Sequence, residues 1–481
     1  MTDTFRRERI LVGGEWIEAD GGGTFEVTDP ATGEPIGTVP AAGTAETRRA
    51  IEAASEAFAS FRRTGAHERA ELLRRMHDLM LEHREPLARL LTAEQGKPLA
   101  EARGEIAIGA GYLLWFAEEA RRAGGEALAP TLPGRRAFAL RVPVGVVGAI
   151  TPWNFPSSML ARKIGPAIAA GCTSVVKPAE KTPYSALAFG VIAEMAGVPP
   201  GVVNVVTGDA ATVGAELTRH PGVGKLTFTG STAVGRKLIA QCADTVERVS
   251  MELGGNAPFV VFDDADLDRA VAGAMVAKYR NSGQTCVCTN RFLVQAGVHD
   301  EFVRRLVEAT EALVVGVGTD EGVEQGPLID EAAVAKVESL LEDARERGAR
   351  IATGGARHAL GGTWFEPTVV TGATADMRVA TEEIFGPVAV VQRFGEEAEA
   401  VRLANATEYG LAAYVYTRDL GRAFRAVEAL EYGMVGVNEG LITAVEAPFG
   451  GVKSSGVGVE GGTLGIEEYL DAKYACFGGL G

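Results

Sequence analysis

The chain has 481 residues with 47 basic and 63 acidic side chains, a formal charge of −16, and its 46% apolar and 23% charged content excludes a disordered or fibrous chain. At about 150 residues per domain it holds roughly three units; the acidic balance argues against a general nucleic-acid surface, and the longest apolar runs, such as Val142 to Ile150, fall short of a membrane span. The charge scattered through MTDTFRRERILVGGEWIEAD does not read as a secretory signal, and Cys172, Cys242, Cys286, Cys288 and Cys476 form no disulfide framework, so a cytoplasmic protein is expected.

In chain order, ILVGGEW and FEVTDP read as short strands, with ATGEPIG a hairpin-like connection. Ile51, Ala54, Phe58 and Phe61 share one face of a 3.6-residue period, and a second helical pattern runs from about Glu68 to Leu91. Residues 125–143 fit no alternation and read as an extended excursion. From Val144 to Gly255 the apolar runs VGVVGAI, TSVVK, VVNVVTG, KLTFTG and RVSMELGG are separated by helical segments, the pattern of βαβ units and a mainly parallel sheet. A second alternation starts at NAPFVVF and continues through RFLVQ, AVVQRF, LAAYVYT and GMVGVN. Its helices include Asp330 to Ala349, with Asp330 placed to cap it, and Asp419 to Tyr432, stopped by Gly433. The end, YLDAKYACFGGLG, is strand-like; it and the excursion have open edges suited to subunit contact.

Several residue types at element ends suit chemistry. Cys286, in RNSGQTCVCTNR, sits on a polar stretch between a helix ending near Tyr279 and the strand RFLVQ, where a thiol can meet a substrate. A buried structural cysteine is the plainer alternative; a metal ligand is disfavoured because Cys286-x-Cys288 has no second Cys or His cluster. No histidine lies in a polar motif to assist the thiol. Glu252 ends a strand beside two glycines, where burial would raise its pKa toward a general base, or where it would simply form a salt bridge. Asn154, in PWNFP after VGVVGAI, offers an amide to an oxyanion, or serves the turn. FTGSTAVG places Gly230, Ser231 and Gly235 between a strand and a helix, a setting for a pyrophosphate. KPAEKTP puts Lys177 and Glu180 at another strand end, where a carboxylate accepts ribose hydroxyls and repels a 2′-phosphate. The literal G-x-G-x-x-G, GVGVEG at 456–461, has no strand feeding it and is set aside.

In this order PWNFP, KPAE, FTGSTAVG, MELGG, GQTC, EEIFGP and PFGGVKSSG resemble the aldehyde dehydrogenase superfamily across almost the whole chain. The resemblance implies an α/β fold with two mainly parallel α/β domains and a small β oligomerisation element. It divides the chain into an NAD-binding domain (1–124 and 144–251, with part of 440–464), a catalytic domain (252–439) and an oligomerisation element (125–143 and 465–481). It further implies that Cys286 is the nucleophile, Glu252 the base that activates the hydrolytic water, and Asn154 with the Cys286 N–H the oxyanion site. Lys177 and Glu180 would take the adenosine ribose, Gly230, Ser231 and Gly235 the pyrophosphate region, and Glu383, Phe385 and Trp153 the nicotinamide end. Glu180 favours NAD over NADP, with Lys181 beside it softening that preference. No metal is implied.

Within the superfamily, ARKIGPAIAAGC, KYRNSGQTCVCTNR and GVNEGLITAVEAPFGGVKSSG are most similar to succinate-semialdehyde dehydrogenases. This implies an aldehyde with a terminal carboxylate gripped by Arg162, Arg280 and Thr443, the last in place of the serine of that subgroup, so glutarate semialdehyde competes as substrate. Either arginine could instead be in an ordinary surface ion pair. Cys288 resembles a second cysteine able to form a reversible disulfide with Cys286. The expected assembly is a homodimer or homotetramer. A CoA-acylating enzyme, a silent structural homologue and a thioesterase are the alternatives; Glu252 weighs against the first, and the intact Cys286, Glu252 and Asn154 against the second.

Overall fold

The apolar runs between Val144 and Gly255 fold as five parallel strands in a computed structural model that describes residues 4–479: Val146–Ile150, Thr173–Lys177, Val203–Val205, Val223–Thr229 and Arg248–Glu252. Residues 1–3 and 480–481, the outermost ends of the expected first and last segments, lie outside the described residues. The hairpin Ile10–Val12 with Glu15–Ile17 extends one edge, and Gly456–Val457 returns antiparallel to Met251 and Glu252 at the other. The discarded GVGVEG is therefore a sheet edge followed by loop.

The chain runs outward from Val146–Ile150 through Thr173–Lys177 to Val203–Val205, then crosses back to lay Val223–Thr229 on the opposite side. Strand order reverses there, and a crevice opens at the carboxyl ends. Those ends are level: Ile150 pairs with Lys177 and Phe228, and Thr229 with Glu252.

The second sheet has seven strands in the order Arg350–Thr353, Thr368–Thr371, Val388–Phe394, Thr289–Gln295, Ala257–Val261, Ala412–Tyr416 and Met434–Val437, parallel except for the first pair. It faces the first sheet with its amino ends. Gly254 and Gly255, Cys286, and Glu383 and Phe385 each lie just ahead of one of its strands. A three-stranded antiparallel sheet joins Leu470–Phe477, Arg136–Pro143 and Glu126–Leu128, with Leu140, Tyr474 and Phe477 exposed on it.

Two helical expectations need correction, and one helix had no expectation at all. The pattern from Glu68 to Leu91 is two helices, Ala66–Glu82 and Arg84–Gln95, because the backbone leaves helical geometry at His83 (φ −101°, ψ 21°), which brings Pro86 into the first turn of the next helix where its missing N–H has no partner to lose. The helix expected to Tyr432 spans Leu420–Ala429, since Leu430 is already extended. Leu99–Glu119 has too weak a period to be read, and it matters: it packs on Ser158–Ala170, a helix buried along its whole length, Arg162 and Lys163 included. Among the described residues no helix is long and apolar enough to cross a membrane.

Candidate active site

Two cavities meet at Cys286, the one described residue that lines both. A cleft of about 540 Å³ opens along the carboxyl ends of the first sheet, and a pocket of about 160 Å³ lies on the opposite side of the thiol.

The chain reaches Cys286 through a tight reversal. Helix Leu267–Tyr279 ends, and Asn281, Ser282 and Gly283 follow with φ of 52°, 56° and 73°. Two left-handed non-glycine residues are costly, about 1–2 kcal/mol each, and side chains hold them. Asn281 Nδ2 donates to the Asn154 carbonyl at 3.0 Å, Ser282 Oγ donates to the Gly326 carbonyl at 2.9 Å, and Asn154 Nδ2 donates to the Gln284 carbonyl at 3.0 Å. Lys97 Nζ also donates to the Asn154 carbonyl at 2.7 Å. Asn154 is thus fixed against the thiol's own loop, with one amide hydrogen engaged and the second available.

Burial pushes the Cys286 thiol up to about 12; Arg162 opposes this, while Glu252 and Glu383 add to it. Glu252 lies buried at its strand end, lines neither cavity, and leaves Oε2 without a partner. Burial, then the charge of Glu460, raises its carboxyl well above the usual range against the pull of Arg162 and Lys163. Glu383 accepts the Gly255 N–H at 2.8 Å and is raised by burial to about 7.

In the cleft, Lys177 Nζ pairs with Glu180 at 2.6 Å, and Lys181 pairs with Asp330, which caps helix Glu331–Glu346. Ser231 caps helix Thr232–Cys242, and a Cβ at Gly230 would run into the Phe228 ring. Trp153 and Phe385 meet edge to face at 5.4 Å, with Phe385 held at φ 56°. A cation with a carboxylate at one strand end, a helix N-terminus at the next and an aromatic pair beyond fit a dinucleotide. Gly235 does not line the cleft; its missing Cβ lets the helix seat on Leu253. Asp330 and Lys336 line the cleft and were missed; Asp330 was legible only as a cap.

The smaller pocket brings Arg162, Arg280 and Thr443 together with Tyr112, Phe155 and Phe449. The two arginines differ. Arg162 is in no surface pair: its Nε donates to Glu460 at 2.7 Å, its guanidinium lies 3.9 Å over Phe449, and its buried Nη2 has no partner. Lys163 pairs with the same carboxylate. Arg280 has no ion pair among the described residues and sits 5.5 Å over Phe155. Glu101 and Glu105 also line this pocket, and sequence reasoning found neither. Cys288 lines neither cavity; its sulphur accepts from Lys278 Nζ at 3.3 Å. Among the described residues no cluster of His, Cys, Asp and Glu could hold a metal ion.

A family model described as "Aldehyde dehydrogenase family" matches residues 16–475. The glutarate-semialdehyde dehydrogenase of Pseudomonas aeruginosa is 57% identical, covering 98% of each chain. The succinate-semialdehyde dehydrogenase [NADP(+)] GabD of Escherichia coli is 55% identical, also covering 98% of each. A crystal structure of succinate-semialdehyde dehydrogenase from Burkholderia pseudomallei is 58% identical and superposes with a TM-score of 0.98, covering 99% of this chain and 98% of that one.

Proposed function

Because the chain belongs to the aldehyde dehydrogenase family, we propose that Cys286 is its nucleophile, Glu252 its general base and Asn154 its oxyanion donor. The protein is an NAD(P)-dependent aldehyde dehydrogenase. The observation that carries the assignment is the placement of Cys286 on the wall shared by a dinucleotide-sized cleft and a small pocket containing arginine.

Cys286 Sγ attacks the aldehyde carbon, and its proton passes to Glu252, whose carboxylate is made a stronger base by burial and the charge of Glu460. The oxygen that takes up charge meets the free amide hydrogen of Asn154, already locked in place through Gln284 and Lys97. A bound nicotinamide would supply the acceptor for the hydride that this carbon loses. Once Glu252 has passed that proton to solvent it deprotonates a water; the water oxygen bonds to the thioester carbon, the C–S bond breaks, and the departing thiolate takes up a proton as the acid is released. Lys177 and Glu180 would hold the ribose, Gly230 and Ser231 the pyrophosphate, and Glu383, Phe385 and Trp153 the nicotinamide end. Glu180 favours NAD: its carboxylate repels a 2′-phosphate, while Lys181, engaged by Asp330, does little to offset it.

The substrate we infer is a short aldehyde ending in a carboxylate, succinate semialdehyde first, with Arg280 as the uncommitted grip, Arg162 Nη2 and Thr443 beside it. Glutarate semialdehyde is the second reading, since relatives bearing either name match to similar extents. We read the first sheet and its helices as the cofactor half, the second sheet as the catalytic half, and the exposed three-stranded sheet as the contact of a cytoplasmic homodimer or homotetramer. The redox pairing of Cys286 with Cys288 requires residues 286–288 to turn, because the Cys288 sulphur now meets Lys278. The test of the assignment is Cys286→Ala: NADH production from a panel of aldehydes with and without a terminal carboxylate disappears while NAD still binds. Continued aldehyde oxidation would falsify it.

A further inference from the structure

The pocket holds a charged group that the mechanism leaves without a task. Glu101 stands in the first turn of helix Leu99–Glu119 and lines the same pocket as Arg280. Its Oε2 accepts the backbone N–H of Asn281, the residue after Arg280, at 2.9 Å. Asn281 and Ser282 are left-handed, at φ 52° and 56°, so this bond holds a turn that a free loop would abandon. The turn sets where Arg280 stands, and Asn281 also braces the Asn154 carbonyl.

The same carboxylate acts at longer range. Glu101 is not within ion-pair distance of Arg280; burial raises its carboxyl, and the charges of Lys97 and then Arg280 work against that rise. The neighbouring cations already have close partners: Lys97, behind the pocket wall, pairs with Glu105 at 2.6 Å, and Arg162 with Glu460 at 2.7 Å. Arg280 is left with the unsaturated charge, and Glu101 is the anion that shares it.

We propose that Glu101 is a specificity-determining residue: it positions Arg280 through Asn281, and its negative charge beside the guanidinium limits how strongly an anionic aldehyde is preferred over an uncharged one. The proposal rests on the reading of Arg280 as the grip for the substrate carboxylate. Its two roles separate chemically, because glutamine keeps an acceptor oxygen and removes the charge, whereas alanine removes both.

The test measures kcat and KM for succinate semialdehyde and for butanal, with NAD, in the full chain and in its Glu101→Gln, Glu101→Ala and Arg280→Ala variants. Arg280→Ala lowers the ratio of kcat/KM for the charged over the uncharged aldehyde by about tenfold or more. Glu101→Gln raises that ratio about three- to tenfold, through KM rather than kcat, and the gain shrinks as salt rises from about 0.05 to 0.5 M. Glu101→Ala lowers kcat for both aldehydes, because the turn loses its acceptor. A ratio that stays put in Glu101→Gln while falling in Arg280→Ala overturns the role of Glu101 alone. A ratio unmoved in Arg280→Ala overturns the carboxylate grip and the proposal with it. Should Glu101→Ala fail to fold, the Glu101→Gln ratio decides.

Discussion

Replacing Glu460 with glutamine probes the electrostatics behind the thiol. Its carboxylate accepts from Arg162 Nε at 2.7 Å and from the Thr227 hydroxyl at 3.2 Å, and it also pairs with Lys163. All three charged groups are buried. Although burial alone pushes the Glu460 carboxyl up, Lys163 and Arg162 hold it at about 2, against an ordinary value of 4.5. A folded-state pKa below the unfolded one contributes stability above pH ~4.5 that is lost as pH falls toward 2; the interval corresponds to about 3 kcal/mol. Breaking a buried pair from one side independently suggests about 3–5 kcal/mol, with the lower end apt here because Glu252 partly compensates the stranded cations. Glu460→Gln should therefore lower the urea midpoint at pH 7 and approach wild type below pH ~3. The same change removes the charge that, after burial, most raises Glu252, and leaves Arg162 and Lys163 to pull it down. The acid limb of the kcat profile should move to lower pH. Equal urea midpoints at pH 7, or an acid limb that stays or moves upward, would refute the reasoning.

Three further outcomes are expected. With the Cys286 thiol at about 12, chiefly from burial, iodoacetamide labelling of its peptide in the absence of cofactor should still climb about tenfold per pH unit from about 7 to 10; levelling off by about pH 10 would mean an ordinary thiol. Glu180→Ser should raise the NADP-to-NAD ratio of kcat/KM about tenfold or more, and an unchanged ratio would reject Glu180 as the discriminating group. Gly255→Ala sets a Cβ against the Cys286 carbonyl and should cut kcat by about a hundredfold through displacement of the nucleophile; near-native turnover would show that the loop yields freely.

The parallel strands were legible because each is a short apolar run between helices, and a strand buried on both faces has no other pattern to display. Helix Leu99–Glu119 was not, for a related reason. It is packed on several sides, so its apolar residues do not fall on one stripe, and Gly104, Gly109 and Gly111 dilute the period further. One consequence is that Glu101 and Glu105, which line the substrate pocket, were invisible as pocket residues. The rule that ligands meet the carboxyl ends of parallel strands located Asn154, Lys177, Glu180 and Ser231. It had nothing to say of Cys286, Glu383 and Phe385, which stand at the amino ends of a second sheet facing the first. Cys286 was singled out by its polar loop, whereas Glu383 and Phe385 came from motif resemblance alone.

The two arginines mark where sequence reading stops. Both were matched to one role, and the chain around each offers no hint that they differ. The difference comes from Glu460, 298 residues away from Arg162. That glutamate lies inside GVGVEG, the glycine-rich match set aside because no strand was read as feeding it. The dismissal was sound for a nucleotide loop, since the segment begins as an edge strand against Met251 and Glu252. Yet this antiparallel edge brings Glu460 to the buried cations behind the active site, where it neutralises one arginine, leaves the other to Glu101, and raises the carboxyl of Glu252. A single sheet pairing thus couples stability, base strength and the division of labour between the arginines, and this coupling is why Glu460→Gln should move the pH profile as well as the urea midpoint.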